Sequence, residues 1–456
     1  MPARGQSLGN KMTLQLTAAD DVVGMLIDDC DPHGPASRSI RPRGASPRSV
    51  ESPLLAFRSL EQQRSVLRIL FPTRAPFPGP RASVVQVANM AQAFAELGHD
   101  VRLVAPAPGP GSSDGTSGHA GNHFGFHPKF DVATLSRRIH RGQSYLHAVR
   151  IARMTSAFRA DLVFSRNLRA CLLPARRGVP TVLEAHTLGS LSGPQERWVL
   201  RHLEDTPGYR GIVAISQALA DDLTSELSID PARILVAHDA VRIAPANLPE
   251  PAASPLASKA HISVGYTGSM FPGRGVELLI ELVARDPRVQ LHLVGGPVGQ
   301  ANAWADQLTA PEEQERIIVH GPVSPARTRE LQRGFDVLVA PFARRVSTDS
   351  GVDSSRWMSP MKVFEYMASG RPIVISDLPV LREVLRPNID ALMVPPEDLD
   401  ALATAIGRLA DDPTLAARLA SSALSRVHDE FTWDLRARRI LTRFIPEYPS
   451  APVGAH

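Results

Sequence analysis

Short apolar runs alternate with stretches whose apolar positions recur every three or four residues, and the alternation holds from residue 66 to beyond residue 400. The run 66–71 predicts a strand, closed by a Pro/Gly-rich loop at 72–80. Val84, Val87, Ala88, Ala91, Phe94 and Leu97 follow at helical spacing, Gly98 stops that helix, and 101–104 predicts the next strand. A strand, a crossover helix and a second strand imply a parallel pair. Further strands are expected at 162–164, 181–183 and 211–215, with a Gly/Ser-rich surface loop at 109–125. Pro and Ala break all periodicity at 243–259, and the pattern then restarts with strands at 262–266, 291–294, 317–319, 337–340 and 373–375 and a helix from Val276. The fold class is therefore α/β, with two Rossmann-like, doubly wound domains facing a central cleft. The expected boundaries are an N-terminal domain at 65–247, a linker at 248–260 and a C-terminal domain at 261–432. Residues 1–64 lack sustained periodicity and read as a disordered extension.

Composition narrows the function classes. With 456 residues the chain is long enough for two to four cores. The net charge of +4 is small and scattered, which argues against a nucleic-acid partner. Cys30 and Cys171 cannot build a disulfide framework or a Cys-rich zinc site, so a reducing compartment is expected. No apolar run approaches the roughly 18–20 residues that cross a bilayer. The expected location is the cytoplasm, with peripheral contact at the inner face of the membrane left open. The chain carries only four lysines, Lys11, Lys129, Lys259 and Lys362. That scarcity draws attention to Lys362.

The stretch 359–372 signals both ends of one short helix, with Ser359 as the N-cap, Pro360 in the first position and Gly370 just past the end. Lys362 and Glu365, three apart, share a face. A lysine in the first turn opposes the helix dipole, and an anion held at that helix end would account for it. The alternative is an exposed Lys–Glu pair. A second element, 266–275, follows a strand and opens a helix. It nearly spells a P-loop, but Arg274 stands for the lysine and Gly275 for the Mg-binding hydroxyl, which argues against an ATPase. Asp29 and Asp31 form a DxD in the extension, whereas Asp398 and Asp400 suit a helix N-terminus. No metal site is expected.

These stretches, with 374–377, Phe77-Pro78-Gly79, 215–219, 234–241 and Phe431-Thr432-Trp433, resemble the family 4 glycosyltransferases, retaining enzymes of the GT-B fold. The resemblance spans roughly residues 66–445. It implies that Glu365, the second glutamate of the family motif, accepts hydrogen bonds from the nucleotide ribose, a diol that suits a carboxylate. The first motif glutamate falls at Trp357, a departure that leaves the sugar contact unassigned. Arg274 matches the basic residue that grips the diphosphate, the alternative being a surface arginine at a helix start; a second one, expected near Ser269, is missing, and Lys362 is placed in its role. Gly268, Gly295 and Gly296 let the backbone approach the donor, although an ordinary βα turn would also use the last two. Gly79 and Ser359 are further substrate-binding candidates. His186 matches a histidine near the reacting sugar, the alternative being a satisfied structural histidine, and Glu184 is expected on the opposite face. The segment 433–456 is expected to begin as a helix that returns to the N-terminal domain. The implied activity moves a hexose from a nucleoside diphosphate sugar to a hydroxyl on a saccharide or lipid-linked acceptor, with no cofactor. A nucleotide-sugar epimerase of the same fold and a non-catalytic donor-binding paralogue are the alternatives.

Overall fold

Strand β1 (Arg68–Pro72) sits in the middle of the first sheet because its apolar side chains are buried on both faces, as a covered parallel strand requires. The structure is a computed structural model, and it describes residues 66–79, 81–107, 124–135, 143–243, 261–347, 351–446 and 448. The expected extension, the linker, and Asp29 with Asp31 lie outside them.

Among the described residues the first sheet runs in the order β3-β2-β1-β4-β5-β6-β7. Its other strands are β2 (Asp100–Pro106), β3 (Asp131–Leu135), β4 (Leu162–Ser165), β5 (Thr181–Ala185), β6 (Tyr209–Ala214) and β7 (Ile234–Val236). Helices α1 (Ala82–Glu96), α2 (Gln143–Phe158), α3 (Leu168–Arg176), α4 (Pro194–Glu204) and α5 (Gln217–Leu227) connect them. The second sheet runs β10-β9-β8-β11-β12-β13, from β8 (Ile262–Thr267), β9 (Val289–Val294), β10 (Ile317–Gly321), β11 (Val337–Ala340), β12 (Ile373–Ser376) and β13 (Leu392–Val394). Every strand pairing in both sheets is parallel. Its helices are α6 (Val276–Arg285), α7 (Val298–Ala305), α8 (Pro311–Gln314), α9 (Pro325–Gly334), α10 (Met361–Ala368), α11 (Leu399–Asp411) and α12 (Pro413–Glu430). In both sheets the order reverses beside the first strand, at β1/β4 and β8/β11. That switch point is where a doubly wound sheet opens a crevice at its carboxyl ends.

Helix ends follow local side-chain chemistry. Ser216 accepts from the Leu219 N–H at the start of α5, and Asp398 accepts from the Ala401 N–H at the start of α11. The last helix, α13 (Trp433–Phe444), opens on Thr432, whose hydroxyl accepts from the Leu435 N–H. It does not join the second domain. Trp433, Ala437, Ile440, Leu441 and Phe444 pack into the first domain's core with Val87, Phe94 and Phe164. Each large side chain buried there favours docking by roughly 1.5–3 kcal/mol before ordering costs. The two chain crossings are stitched where the Val241 N–H donates to the Phe431 carbonyl (3.0 Å) and the Trp433 N–H to the Val241 carbonyl (3.3 Å). Among the described residues no helix is long and apolar enough to cross a membrane.

Candidate active site

The carboxyl ends of β8 and β9 meet through their following glycines. The Gly268 N–H donates to the Val294 carbonyl at 2.9 Å. Gly295 has φ +100°, and a Cβ there would lie 2.6 Å from the Gly268 carbonyl oxygen, so only glycine fits. Gly296 is crowded only by the flexible Met270 side chain. Gly268 in turn faces Lys362: a Cβ on Gly268 would lie 3.2 Å from Nζ. The Lys362 stem is half-buried, and its Nζ is buried 3.9 Å from the centroid of the Tyr266 ring, with no hydrogen-bond partner among the described residues. This overturns the exposed Lys–Glu pair.

Arg274 lies near an aromatic ring that Lys362 also approaches. Its guanidinium carbon is 5.6 Å from the Phe342 centroid, and Lys362 Nζ is 5.5 Å from that same ring. Arg274 Nε is also buried without a partner. Burial, and then the neighbouring Arg274, push the Lys362 ammonium well below its ordinary range, while Glu365 pulls the other way. Burial likewise lowers Arg274. Burial of basic groups without a partner costs free energy that an anion held beside them would offset.

Glu365 lies one turn along α10 from Lys362 and is half-buried. Its carboxylate accepts from Gln332 Nε2 (3.4 Å), which also donates to Thr267 Oγ1 at 2.9 Å. Burial raises the Glu365 carboxyl, opposed by the Gln332 hydrogen bond and by Arg329 and Lys362. Ser359 is not the cap that the sequence suggested. Pro360 is extended and flanks the helix, which starts one residue later, so the Ser359 hydroxyl lies too far out to meet the first-turn amides. It accepts instead from the Asp239 N–H of the first domain, at 2.8 Å. Gly79 lies just before α1 with ordinary room for a Cβ, 3.6 Å from the Pro76 carbonyl oxygen, so sterics do not demand glycine there.

His186 follows β5 at the carboxyl edge of the first sheet. Glu184 is on its side rather than opposite, since residues two apart in a strand share a face. Glu184 Oε1 lies 3.5 Å from His186 Nε2, accepts from Gln86 Nε2 at 2.8 Å and pairs with Arg436 Nη2 at 2.5 Å. Arg166 donates to Gln86 Oε1 at 3.2 Å. Asp239 completes the cluster, buried, with Oδ1 unpartnered among the described residues. Burial and Arg166 lower the His186 imidazole, against Glu184 and Asp239.

Trp357, which stands where the motif glutamate was expected, belongs to a seam between the domains. Its Nε1 donates to Asp222 at 2.6 Å, its carbonyl accepts from Ser216 Oγ at 3.1 Å, and its ring packs on the first domain's apolar cluster around Leu188 and Leu219. Arg356 grips Asp222 with two bonds of 2.6 Å. Glu383 accepts the Gln217 and Ala218 N–H groups at the start of α5 (2.6 and 3.1 Å) and lies 2.9 Å from His238 Nε2. Asp222, Glu383, Gln332 and Arg436 were not singled out in the sequence. Nothing in local spacing marks them, because each acts on a partner at least 65 residues away, from Gln332 with Thr267 to Arg436 with Glu184.

The family model for glycosyl transferases group 1 matches residues 261–412, and that for Glycosyltransferase Family 4 matches residues 83–244. The chain belongs to this glycosyltransferase family. Among curated relatives of this chain, the D-inositol 3-phosphate glycosyltransferase of Streptomyces griseus is 25% identical over 308 residues, 58% of this chain and 62% of the relative. The chain thus spans about three fifths of that relative's length. A glycosyltransferase from Rickettsia africae shares the fold with TM-score 0.64 at 17% identity, over 83% of this chain and 98% of that one. Anabaena HepE in complex with UDP does so with TM-score 0.61 at 16% identity, over 82% and 99%. The two Rossmann-like domains of this glycosyltransferase are those of the GT-B type. Of its candidate residues, Gly268, Gly295, Lys362, Arg274 and Glu365 converge at the second sheet, while His186 heads a separate cluster on the first. Asp398 and Asp400 sit at the start of α11, the former as its cap. Among the described residues no group of three or more His, Cys, Asp or Glu side chains could hold a metal ion.

Proposed function

We propose that this glycosyltransferase moves a hexose from a nucleoside diphosphate sugar to a hydroxyl acceptor, with retention at the anomeric carbon. The observation that carries the reading is that Lys362 Nζ and Arg274 Nε, both beside the Phe342 ring near the carboxyl edge of the second sheet, are buried without a hydrogen-bond partner among the described residues. A diphosphate supplies the charge they lack, and the bound UDP named for Anabaena HepE supports a nucleotide donor. Glu365 takes the ribose hydroxyls, and the Gly268 and Gly295 backbone comes close to the phosphates.

In the reaction the bond from the anomeric carbon to the diphosphate oxygen breaks as Lys362 and Arg274 stabilise the charge that develops on that oxygen. The acceptor oxygen bonds to the same carbon from the same face, and its proton passes to the departing phosphate. His186, on the opposite domain, orients the acceptor. The acceptor is a saccharide or lipid-linked hydroxyl, and no divalent metal is required, because the two basic side chains fill that electrostatic role. Peripheral contact with a membrane surface would accompany a lipid-linked acceptor. The test is a mass-spectrometric screen of UDP-, GDP- and ADP-sugars against the pure protein, followed by a transfer assay with the sugar that binds. Donor hydrolysis or transfer with retention is expected; epimerisation without any acceptor, or binding without turnover, would overturn the reading.

A further inference from the structure

Arg436 is an outlier on its own helix. The face of α13 that docks on the first domain is otherwise apolar, yet Arg436, in its first turn, is 3% exposed. A buried guanidinium costs free energy unless it is fully partnered, and an apolar side chain of similar volume docks a helix as well or better. Docking therefore does not explain it. Its partners do. Nε donates to the His238 carbonyl at 2.8 Å, Nη2 to the Ala237 carbonyl at 3.2 Å and to Glu184 Oε1 at 2.5 Å, and Nη1 rests 3.0 Å from Met90 Sδ. The guanidinium thus pins the residues just after β7 to the β5 carboxylate that lies 3.5 Å from His186 Nε2.

We propose that Arg436 is a positioning residue for His186, acting through Glu184: by engaging the carboxylate it keeps the imidazole neutral and its Nε2 free to meet the acceptor. This rests on the reading of His186 as an acceptor-side group. The geometry carries the argument. Glu184 is 2% exposed and its Oε1 already receives Arg436 and Gln86, so His186 Nε2 stands off at 3.5 Å with no hydrogen bond formed. The charged groups facing His186 are Glu184 and Asp239, which favour the imidazolium, and Arg166, which together with burial disfavours it. Against burial, which raises it, the Glu184 carboxyl is held down by Arg436 first and also by His186 and Arg166. Without Arg436 the buried carboxylate keeps the Gln86 hydrogen bond and the more distant attraction of Arg166, and its nearest group able to take up a proton is His186. The imidazole would take up a proton, close onto Glu184 and withdraw Nε2 from the acceptor.

The experiment is an NMR titration of ring-labelled histidine in the full chain, with the His186 signal assigned by its loss in His186→Gln. Arg436→Met is expected to raise the His186 midpoint by about one pH unit, a tenfold gain in proton affinity, and to cut the transfer rate at neutral pH with recovery as pH rises. Adding Glu184→Gln to that variant should bring the midpoint back down. Arg436→Lys, which keeps the cation, should hold the wild-type midpoint and recover part of the rate, a rescue that loss of packing alone does not give. An unchanged His186 midpoint in folded Arg436→Met overturns the proposal. Should that variant fail to fold, the near-isosteric Glu184→Gln decides alone: a lowered midpoint supports the coupling and an unchanged one overturns it. Normal transfer by His186→Gln would sink the acceptor-side role of His186, while the titration reads the Arg436–Glu184–His186 coupling independently of activity.

Discussion

Replacing Glu365 by glutamine separates recognition from folding, because the two respond in opposite directions. Among the described residues the carboxylate accepts one long bond, 3.4 Å from Gln332 Nε2, so little of the described structure depends on its charge. Its pKa is raised by burial. The folded state therefore holds the proton more tightly than the unfolded one, and stability is lost as pH rises from the unfolded value through the folded one. At neutral pH the ionised group is a net cost, and Glu365→Gln should leave the melting temperature equal or higher. Donor binding should move the other way. Loss of a charged acceptor for the ribose hydroxyls is worth roughly 1.5–3 kcal/mol, about ten- to a hundredfold in Kd. A second effect follows from the position of Lys362, whose ammonium Glu365 helps to keep charged. In the variant Lys362 gives up its proton more readily, so the alkaline fall in turnover should begin at lower pH than in the wild type. Calorimetry with the donor, thermal melting and a pH–rate profile read the three quantities. Unchanged donor affinity, or weakened affinity with a large drop in melting temperature, would refute the reasoning.

Gly295→Ala should abolish measurable donor binding and lower the melting temperature by a few degrees, since a side chain at φ +100° costs about 1–3 kcal/mol and its Cβ meets the Gly268 carbonyl; wild-type binding by calorimetry would show that the Gly268–Gly295 contact is not part of the site. Transfer should persist in EDTA and gain nothing from manganese, because Lys362 and Arg274 hold the diphosphate; activity that vanishes in EDTA and returns with manganese would show the site misread.

The repeating strand and helix patterns made both sheets legible, because buried parallel strands such as β1, β4 and β11 are mostly apolar. Strand β3 escaped notice because it is a mostly exposed edge with polar Asp131 and Thr134, and β13 because three residues carry no period. The donor half of the site was readable since glycines, a helix start and a rare lysine fall within short stretches. The extended Pro360 displaced Ser359 from capping, a one-residue shift that spacing cannot resolve. Glu184 shares the face of His186 because strand side chains return to the same side every second residue. Its partnership with Arg436, 252 residues away, has no local signal at all. Trp357 illustrates the same limit: the departure from the motif was visible, but its hydrogen bond to Asp222 across the domain seam depends on a partner 135 residues distant.

The central claim is that Lys362 and Arg274 act on one diphosphate, and a double-mutant cycle on the initial transfer rate tests it most directly. Lys362→Met and Arg274→Met keep most of each apolar stem against Tyr266 and Phe342 while removing the charge. Each single change should lower the rate strongly with the melting temperature held within a few degrees. The double variant should lose much less than the product of the two losses, because freeing one cation lets the phosphates shift away from the other. Multiplicative losses, or a normal rate in Lys362→Met, would contradict the account.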